Sequence, residues 1–205
     1  MTIRNGLMAW GTAAAMVMGN TAMAGAADTK TAVFAGGCFW CVESDFDHVD
    51  GVLATISGYT GGTLENPTYK DVTKGGTGHY EAVEITYDPA KVTYDELMVA
   101  FWHSVDPTDA GGQFCDRGDS YRTAVFVTPE QREVAEASKA AVAGEISAPI
   151  VTEILDVATF YPAEDYHQDY YTKNPVRYNF YRLSCGRNQR VDDVWGANSY
   201  LGIKH

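Results

Sequence analysis

The order of apolar and polar positions predicts strands alternating with helices. "TAVFAGG" (31–37) is a short apolar run closed by two glycines and reads as a strand. From Cys38 onward, Val42, Phe46 and Val49 recur at helical spacing, so a helix begins at or near Cys38. "VLATISGYTGG" (52–62) predicts a second strand running into a glycine-rich loop, and "NPTYKDVTKGGTG" (66–78) is turn-rich. "HYEAVEITYDP" (79–89) alternates up to Pro89, as a strand does. "TYDELMVAFWHSV" (93–105) is helical, with Thr93 as N-cap and Glu96 completing a capping box.

A long polar loop (106–120) leads to "YRTAVFVT" (121–128), another alternating strand. "PEQREVAEASKAAVAG" (129–144) is the clearest helix, from Thr128-Pro129 to Gly144. "IVTEILDV" (150–157) predicts a strand, and "AEDYHQDYYTKN" (163–174) a short helix halted by Pro175. The remaining tail reads as aromatic and irregular. The sum is an α/β chain: a mixed sheet with helices packed on it.

Composition narrows the class. With 205 residues, 45% hydrophobic and 12% aromatic, the chain can bury a core as one domain, and no repeat, low-complexity tract or linker divides it. The net charge of −12 argues against a sequence-independent nucleic-acid binder, which needs clustered Lys and Arg. At the N-terminus, Arg4 precedes the apolar run "LMAWGTAAAMVMG" (7–19), and Ala22-Met23-Ala24 offers a small-residue cleavage point. That is the layout of a secretory signal peptide, with an apolar run too short to span a bilayer. Residues 1–24 are therefore expected to be a signal peptide and 25–205 one catalytic domain. Cleavage would move the formal charge to −13, since Arg4 is the only charged residue removed. Export, to the periplasm, puts the cysteines where disulfides persist.

The candidate chemistry is sulfur chemistry. The chain holds four cysteines, Cys38, Cys41, Cys115 and Cys185, and the first two stand in "GGCFWCVE" (36–43). A cysteine that opens a helix meets unpaired N–H groups and the positive dipole end, which favours the nucleophilic thiolate; Cys38 fits that position better than Cys41. Three readings compete: a thiol–disulfide oxidoreductase working through Cys38-x-x-Cys41, a zinc site, or one attacking sulfur with a later resolving partner. Zinc lacks its further ligands, because Cys115 and Cys185 are solitary and no second C-x-x-C or H-x-x-x-H occurs. The attacking-sulfur reading asks for an acid and hydroxyl donors. Strand alternation puts Glu81 on one face with Val83, Ile85 and Tyr87, where burial would keep its carboxyl protonated near neutral pH. Tyr121 shares a face with Val125 and Val127, and Tyr69 stands in the "NPTY" turn.

These residues fall within segments that resemble the A-type peptide methionine sulfoxide reductases from about Thr31 to Pro175. The segments are "GGCFWCVE", "GYTGG" (58–62), "NPTY" (66–69), "TGHYEAVEITYDP" (77–89), "FWHSVDPT" (101–108), "QFCDRGDSYRTAVF" (113–126) and "FYPAEDYHQDYY" (160–171). The resemblance implies an α/β (α+β) roll with βαβ units in its mixed sheet, and neither a metal nor an organic cofactor. It implies that Cys38 attacks the sulfoxide sulfur and that Phe39 and Trp40 hold the substrate methyl group. By the same likeness Glu81 protonates the sulfoxide oxygen, Tyr69 and Tyr121 bond it, and Asp116 lines the site. The substrate would be methionine-S-sulfoxide, free or in oxidised proteins, and Cys38 would pass through a sulfenic acid to a disulfide reduced by a thioredoxin-like donor, the enzyme being a monomer. Cys185 is the first choice as resolving thiol because a mobile tail could carry it to the site, with Cys41 and Cys115 open as alternatives.

Overall fold

A computed structural model describes residues 1–2 and 28–204; the expected signal peptide lies almost wholly outside the described residues. Its largest sheet has six strands: β1 (Lys30–Gly36), β2 (Val52–Thr60), β3 (Tyr80–Tyr87), β6 (Thr123–Val127), β7 (Glu153–Asp156) and β8 (Tyr161–Pro162). Their order is β7-β6-β1-β3-β2-β8. β3 lies between β1 and β2 and is antiparallel to both, so β1 and β2 run parallel with a strand inserted between them. Helix α1 (Phe39–Asp47) makes that split crossover. The β6–β7 pair is parallel and is joined through α4 (Pro129–Val142), a direct βαβ unit. The expected mixed sheet is therefore present.

Alternation along the strands decides which residues meet the helices. Phe34 of β1, Val83, Ile85 and Tyr87 of β3, and Val125 and Val127 of β6 belong to the main core. Helices α1, α3 (Tyr94–Trp102), α4 and α7 (Arg187–Trp195) contribute to the same core. Phe34 stacks on Phe101 at 5.0 Å between ring centroids and lies 5.2 Å from Phe46. Burying one such ring is worth about 1.5–3 kcal/mol. The intervening residues, Val33, Ala35, Tyr80, Ala82, Ala124 and Phe126, form a smaller cluster on the opposite face.

Three local expectations are corrected. The turn-rich stretch after residue 66 holds a helix, α2 (Tyr69–Lys74), because Thr68 and Asp71 form a capping box that starts it. Tyr121 is not on a strand: it ends a 3-10 turn (Asp119–Tyr121) that follows a two-strand ribbon of β4 (Gly112–Gln113) and β5 (Asp116–Arg117). The largest correction concerns the tail. Instead of irregular chain it forms α6 (Pro175–Ser184) and α7, after a single turn of helix, α5 (Tyr170–Lys173). Pro175 does not merely halt one helix; it occupies the first turn of the next, where its missing N–H costs nothing. The tail's apolar pattern is hidden because its inward positions include Arg182 and Arg187, both buried.

Candidate active site

β1 ends at Gly36, and Gly37 turns the chain into α1 with φ +84. A Cβ there would meet the Gln113 Cβ at 2.6 Å, so glycine allows both the turn and the close approach of the following loop. Cys38 is then the N-cap of α1, with no side-chain cap. Cys41 is the third residue inside the helix, and its N–H donates to the Cys38 carbonyl at 3.1 Å. Both sulfurs are free thiols and both residues are buried, at 7% and 2% exposure.

Seven of the expected site residues, Cys38, Phe39, Trp40, Tyr69, Glu81, Asp116 and Tyr121, line one small cavity, joined by Tyr181. Glu81, buried on β3, accepts a hydrogen bond from the Phe39 N–H at 3.1 Å. Burial above all, with the Asp116 charge added, pushes its carboxyl up to about 8 against the lowering effect of that N–H and of the Tyr121 hydroxyl. The carboxyl is therefore protonated at neutral pH. Burial and the neighbouring Glu81 push Tyr69 up to about 12 and Tyr121 further, so both remain hydroxyl donors. Tyr69 is held by Glu164, which accepts from its backbone N–H and from the Tyr59 hydroxyl, each at 2.9 Å.

Trp40 is fixed by residues that the spacing arguments did not single out. Its indole N–H donates to His167 Nδ1 at 3.0 Å, and its ring lies on Tyr170 at 3.8 Å with planes 7° apart. Tyr181 meets it edge-on at 5.7 Å and donates its hydroxyl proton to Asp116. Phe39 packs against His167 and Tyr69, with centroids at 5.0 and 6.4 Å. The signal for His167 and Tyr170 was the aromatic density of "YHQDYY"; for Tyr181 no periodic strand or helix pattern pointed inward.

Burial and neighbouring groups set the electrostatics of the two free cysteines. Burial is the main influence that pushes the Cys38 thiol well above the usual range, and Cys41, Glu81 and Asp116 push the same way. Cys41 is brought down to about 7, first by the hydrogen bond with Cys38 and then, against burial, by Arg187 and Arg182. Arg187 is itself buried and donates to the Gly36 and Ser104 carbonyls at 3.1 and 2.9 Å.

Cys185 was expected on a mobile tail. It sits instead at the C-cap of α6, disulfide-bonded to Cys115, with its Sγ 3.8 Å from Asp116 Oδ2. Asp116 thus touches both the disulfide and, through Tyr181, the packing around Trp40. Cys115 is exposed and Cys185 partly so, so this bond faces solvent beside the cavity.

Comparison with known proteins shows the family and the fold. The sequence model of the family described as peptide methionine sulfoxide reductase matches residues 30–199. A peptide methionine sulfoxide reductase MsrA 2 of Caulobacter vibrioides is 58% identical over 187 residues, covering 90% of this chain and 95% of the relative. Methionine sulfoxide reductase A of Corynebacterium diphtheriae has the same fold, with a TM-score of 0.66, 37% identity and coverage of 74% of this chain and 77% of that one. Mxr1 of Saccharomyces cerevisiae in reduced form gives a TM-score of 0.69 at 31% identity, covering 76% and 91%.

Proposed function

We infer, for a chain that belongs to the peptide methionine sulfoxide reductase family, A type, that Cys38 is the sulfur that attacks the sulfoxide. The activity follows from membership: the enzyme reduces methionine-S-sulfoxide to methionine, and the oxidising equivalents end in a disulfide. The residue roles are our reading. One observation carries them: a buried carboxyl, Glu81, which burial pushes up to about 8, and two tyrosine hydroxyls line the same small cavity as the Cys38 thiol. A sulfoxide oxygen leaves poorly unless its growing negative charge is met by a proton and by donors. Glu81 supplies the proton; Tyr69 and Tyr121 supply the hydrogen bonds. Phe39 and Trp40 offer the apolar wall for the methyl group, and Asp116, through its bond from Tyr181, steadies the edge of that wall.

Attack moves two electrons from the Cys38 sulfur to the methionine sulfur and leaves the oxygen on Cys38 as a sulfenic acid. Cys185 condenses with it, releasing water, and Cys115 then displaces Cys38 from the mixed disulfide. The product of that sequence is the Cys115–Cys185 bond beside Asp116. Its exposed position suits reduction by a dithiol protein of the thioredoxin kind. The apolar run after Arg4 and the small residues at 22–24 support export, which would place this donor outside the cytoplasm.

Cys38→Ser tests the central role: it should abolish release of methionine from a methionine-S-sulfoxide peptide, and retained release would overturn it. Mapping of the disulfides after one turnover should recover Cys115 joined to Cys185. Mass spectrometry of the mature chain from a periplasmic extract should find an N-terminus just after Ala24.

A further inference from the structure

Cys115 and Cys185 stand 70 residues apart in sequence, and their sulfurs meet beside a carboxylate. Cys115 directly precedes β5, Asp116 opens that strand, and Cys185 is the C-cap of α6. Cys185 Sγ lies 3.8 Å from Asp116 Oδ2. The two sulfurs and a carboxylate oxygen all fall within 4.8 Å of one another. Along the chain each of these cysteines is solitary and lacks further ligands; the fold supplies them to each other. While the disulfide is closed, neither sulfur is a thiolate that can hold an ion. Reduction opens it and leaves two thiols with a carboxylate at their side.

We propose that the reduced Cys115 and Cys185 thiols, with Asp116, form a binding site for a thiophilic divalent cation of the zinc kind. Zinc takes thiolates at about 2.3 Å and a carboxylate oxygen at about 2.0–2.2 Å, in tetrahedral geometry. Those bond lengths put two ligating sulfurs about 3.8 Å apart, and a sulfur and an oxygen about 3.5 Å apart. The approach of Cys185 to Asp116 is already within a few tenths of an ångström of the second span. The Cys115 and Cys185 Cα atoms are 5.0 Å apart, so the first span is reached by side-chain rotation once the bond opens. Three protein ligands leave the fourth position to water.

The surroundings suit ligation. The Cys115 backbone N–H donates to Cys185 Sγ at 3.2 Å, a contact that favours thiolate over thiol. Tyr181 donates its hydroxyl proton to Asp116 Oδ2, which fixes the carboxylate and still leaves lone pairs for an ion. Cys115 is exposed while Cys185 and Asp116 are half-buried, so an ion can enter from solvent. Two thiolates and a carboxylate held this close repel one another, and a divalent ion offsets that repulsion. The chemistry balances: a dithiol reductant passes two electrons and two protons to the disulfide, and zinc then displaces the two thiol protons to solvent. Ion and disulfide need the same two sulfurs. Bound zinc therefore holds the pair reduced and withholds Cys185 from the Cys38 sulfenic acid. That last consequence rests on the reading of Cys38 above; the metal site does not.

The test is equilibrium dialysis of the purified chain, reduced and oxidised, against zinc chloride, with bound metal measured by elemental analysis. The reduced chain should hold one zinc ion and the oxidised chain none. Losing a group that merely steadies a ligand costs about 10–100-fold in metal affinity. Cys115→Ser and Cys185→Ser remove a ligand outright, so each should weaken binding by more than about 100-fold. Asp116→Asn keeps an oxygen but not its charge and should weaken binding about 10- to 100-fold. Cys38→Ser and Cys41→Ser should bind zinc as the wild type does. Equal zinc on the reduced and oxidised chains would overturn the proposal, as would wild-type affinity in Cys115→Ser, Cys185→Ser or Asp116→Asn. Loss of binding in Cys41→Ser alone would place the ion at Cys38-x-x-Cys41 and overturn it too. If a variant does not fold, the reduced wild type decides. Zinc should protect Cys115 and Cys185 from iodoacetamide, as located by peptide mass mapping, and full labelling of both overturns the site. Methionine release by Cys38→Ser would remove the nucleophile reading and leave zinc binding untouched, so the two fail separately.

Discussion

The Phe39 backbone N–H donates to Glu81 Oε2 at 3.1 Å. This ties the proposed proton donor on β3 to the first turn of the helix that Cys38 caps. The proposed acid and nucleophile are therefore linked by one hydrogen bond between a strand and a helix start. The bond also limits how far burial can raise the carboxyl, since an N–H favours the charged form.

Glu81→Gln keeps the acceptor for Phe39 and removes the proton. Methionine release in a single turnover should fall about 100- to 10,000-fold, with substrate affinity much less affected. The native carboxyl holds its proton from its ordinary value near 4.5 up to about 8, whereas the unfolded chain has lost it, so stability contributed by this group declines as pH rises through that window. Denaturant midpoints measured against pH should show a shallower alkaline decline in the variant. An equal decline would assign the effect elsewhere.

His167 Nδ1 can accept the Trp40 indole proton only when the imidazole is neutral, and burial lowers its pKa below 6.5. As pH falls from that value toward the lowered one, the unfolded chain gains a proton that the native chain refuses, and stability drops. His167→Phe would leave the indole N–H without its acceptor at about 1–3 kcal/mol. It should raise KM more than it lowers kcat, because the wall for the methyl group loosens while Cys38 and Glu81 stay in place. Steady-state kinetics with a sulfoxide peptide checks the split.

Much of this site was legible from residues that obey a local rule. The alternation in "HYEAVEITY" put Glu81 inward with Val83, Ile85 and Tyr87, and all four are buried on β3. Thr93 and Glu96 formed the box their spacing announced. What escaped depends on long-range pairing. Arg187 is buried because Gly36 and Ser104 offer carbonyls from two distant segments, and no window of sequence contains that fact. The tail hid its two helices for the same reason, since inward arginines break the apolar period. The Cys115–Cys185 bond joins residues 70 apart, and no pairing of the four cysteines could be chosen from spacing.

Cys115→Ser should separate chemistry from recycling. The first turnover does not need Cys115, so methionine release by reduced enzyme should keep its wild-type rate. Steady-state turnover with a thioredoxin-like reductant should fall, because the mixed Cys38–Cys185 disulfide forms in the more enclosed cavity. The loop of 70 residues that the bond closes is worth about 4 kcal/mol in the chain-entropy model. Oxidised wild type should therefore melt well above both its reduced form and the variant, as scanning calorimetry would show.

Arg187 and Arg182 both face Asp45, at 3.4 and 2.8 Å, yet their loss should have different consequences. Arg182 also donates to the Tyr178 hydroxyl and to Asn188 Oδ1, all within the two tail helices. Removing it loosens the tail and leaves Asp45 with Arg187. Arg187 spans the molecule instead, holding the end of β1 at Gly36 and the segment after α3 at Ser104. Arg187→Ala leaves two carbonyls without their donor and reduces the pairing of a buried carboxylate, at a cost of about 3–5 kcal/mol. It also frees the glycine turn that sets the Cys38 backbone. Arg187→Lys keeps the charge but not the fork that reaches two carbonyls, so it should recover only part of the stability. Measured side by side, Arg182→Ala should lower the denaturant midpoint with a modest change in single-turnover rate. Arg187→Ala should lower both, and Arg187→Lys should recover rate less than stability. Equal kinetic effects in the two alanine variants would mean that the tail acts on the site as one packed unit and not through the Gly36 carbonyl.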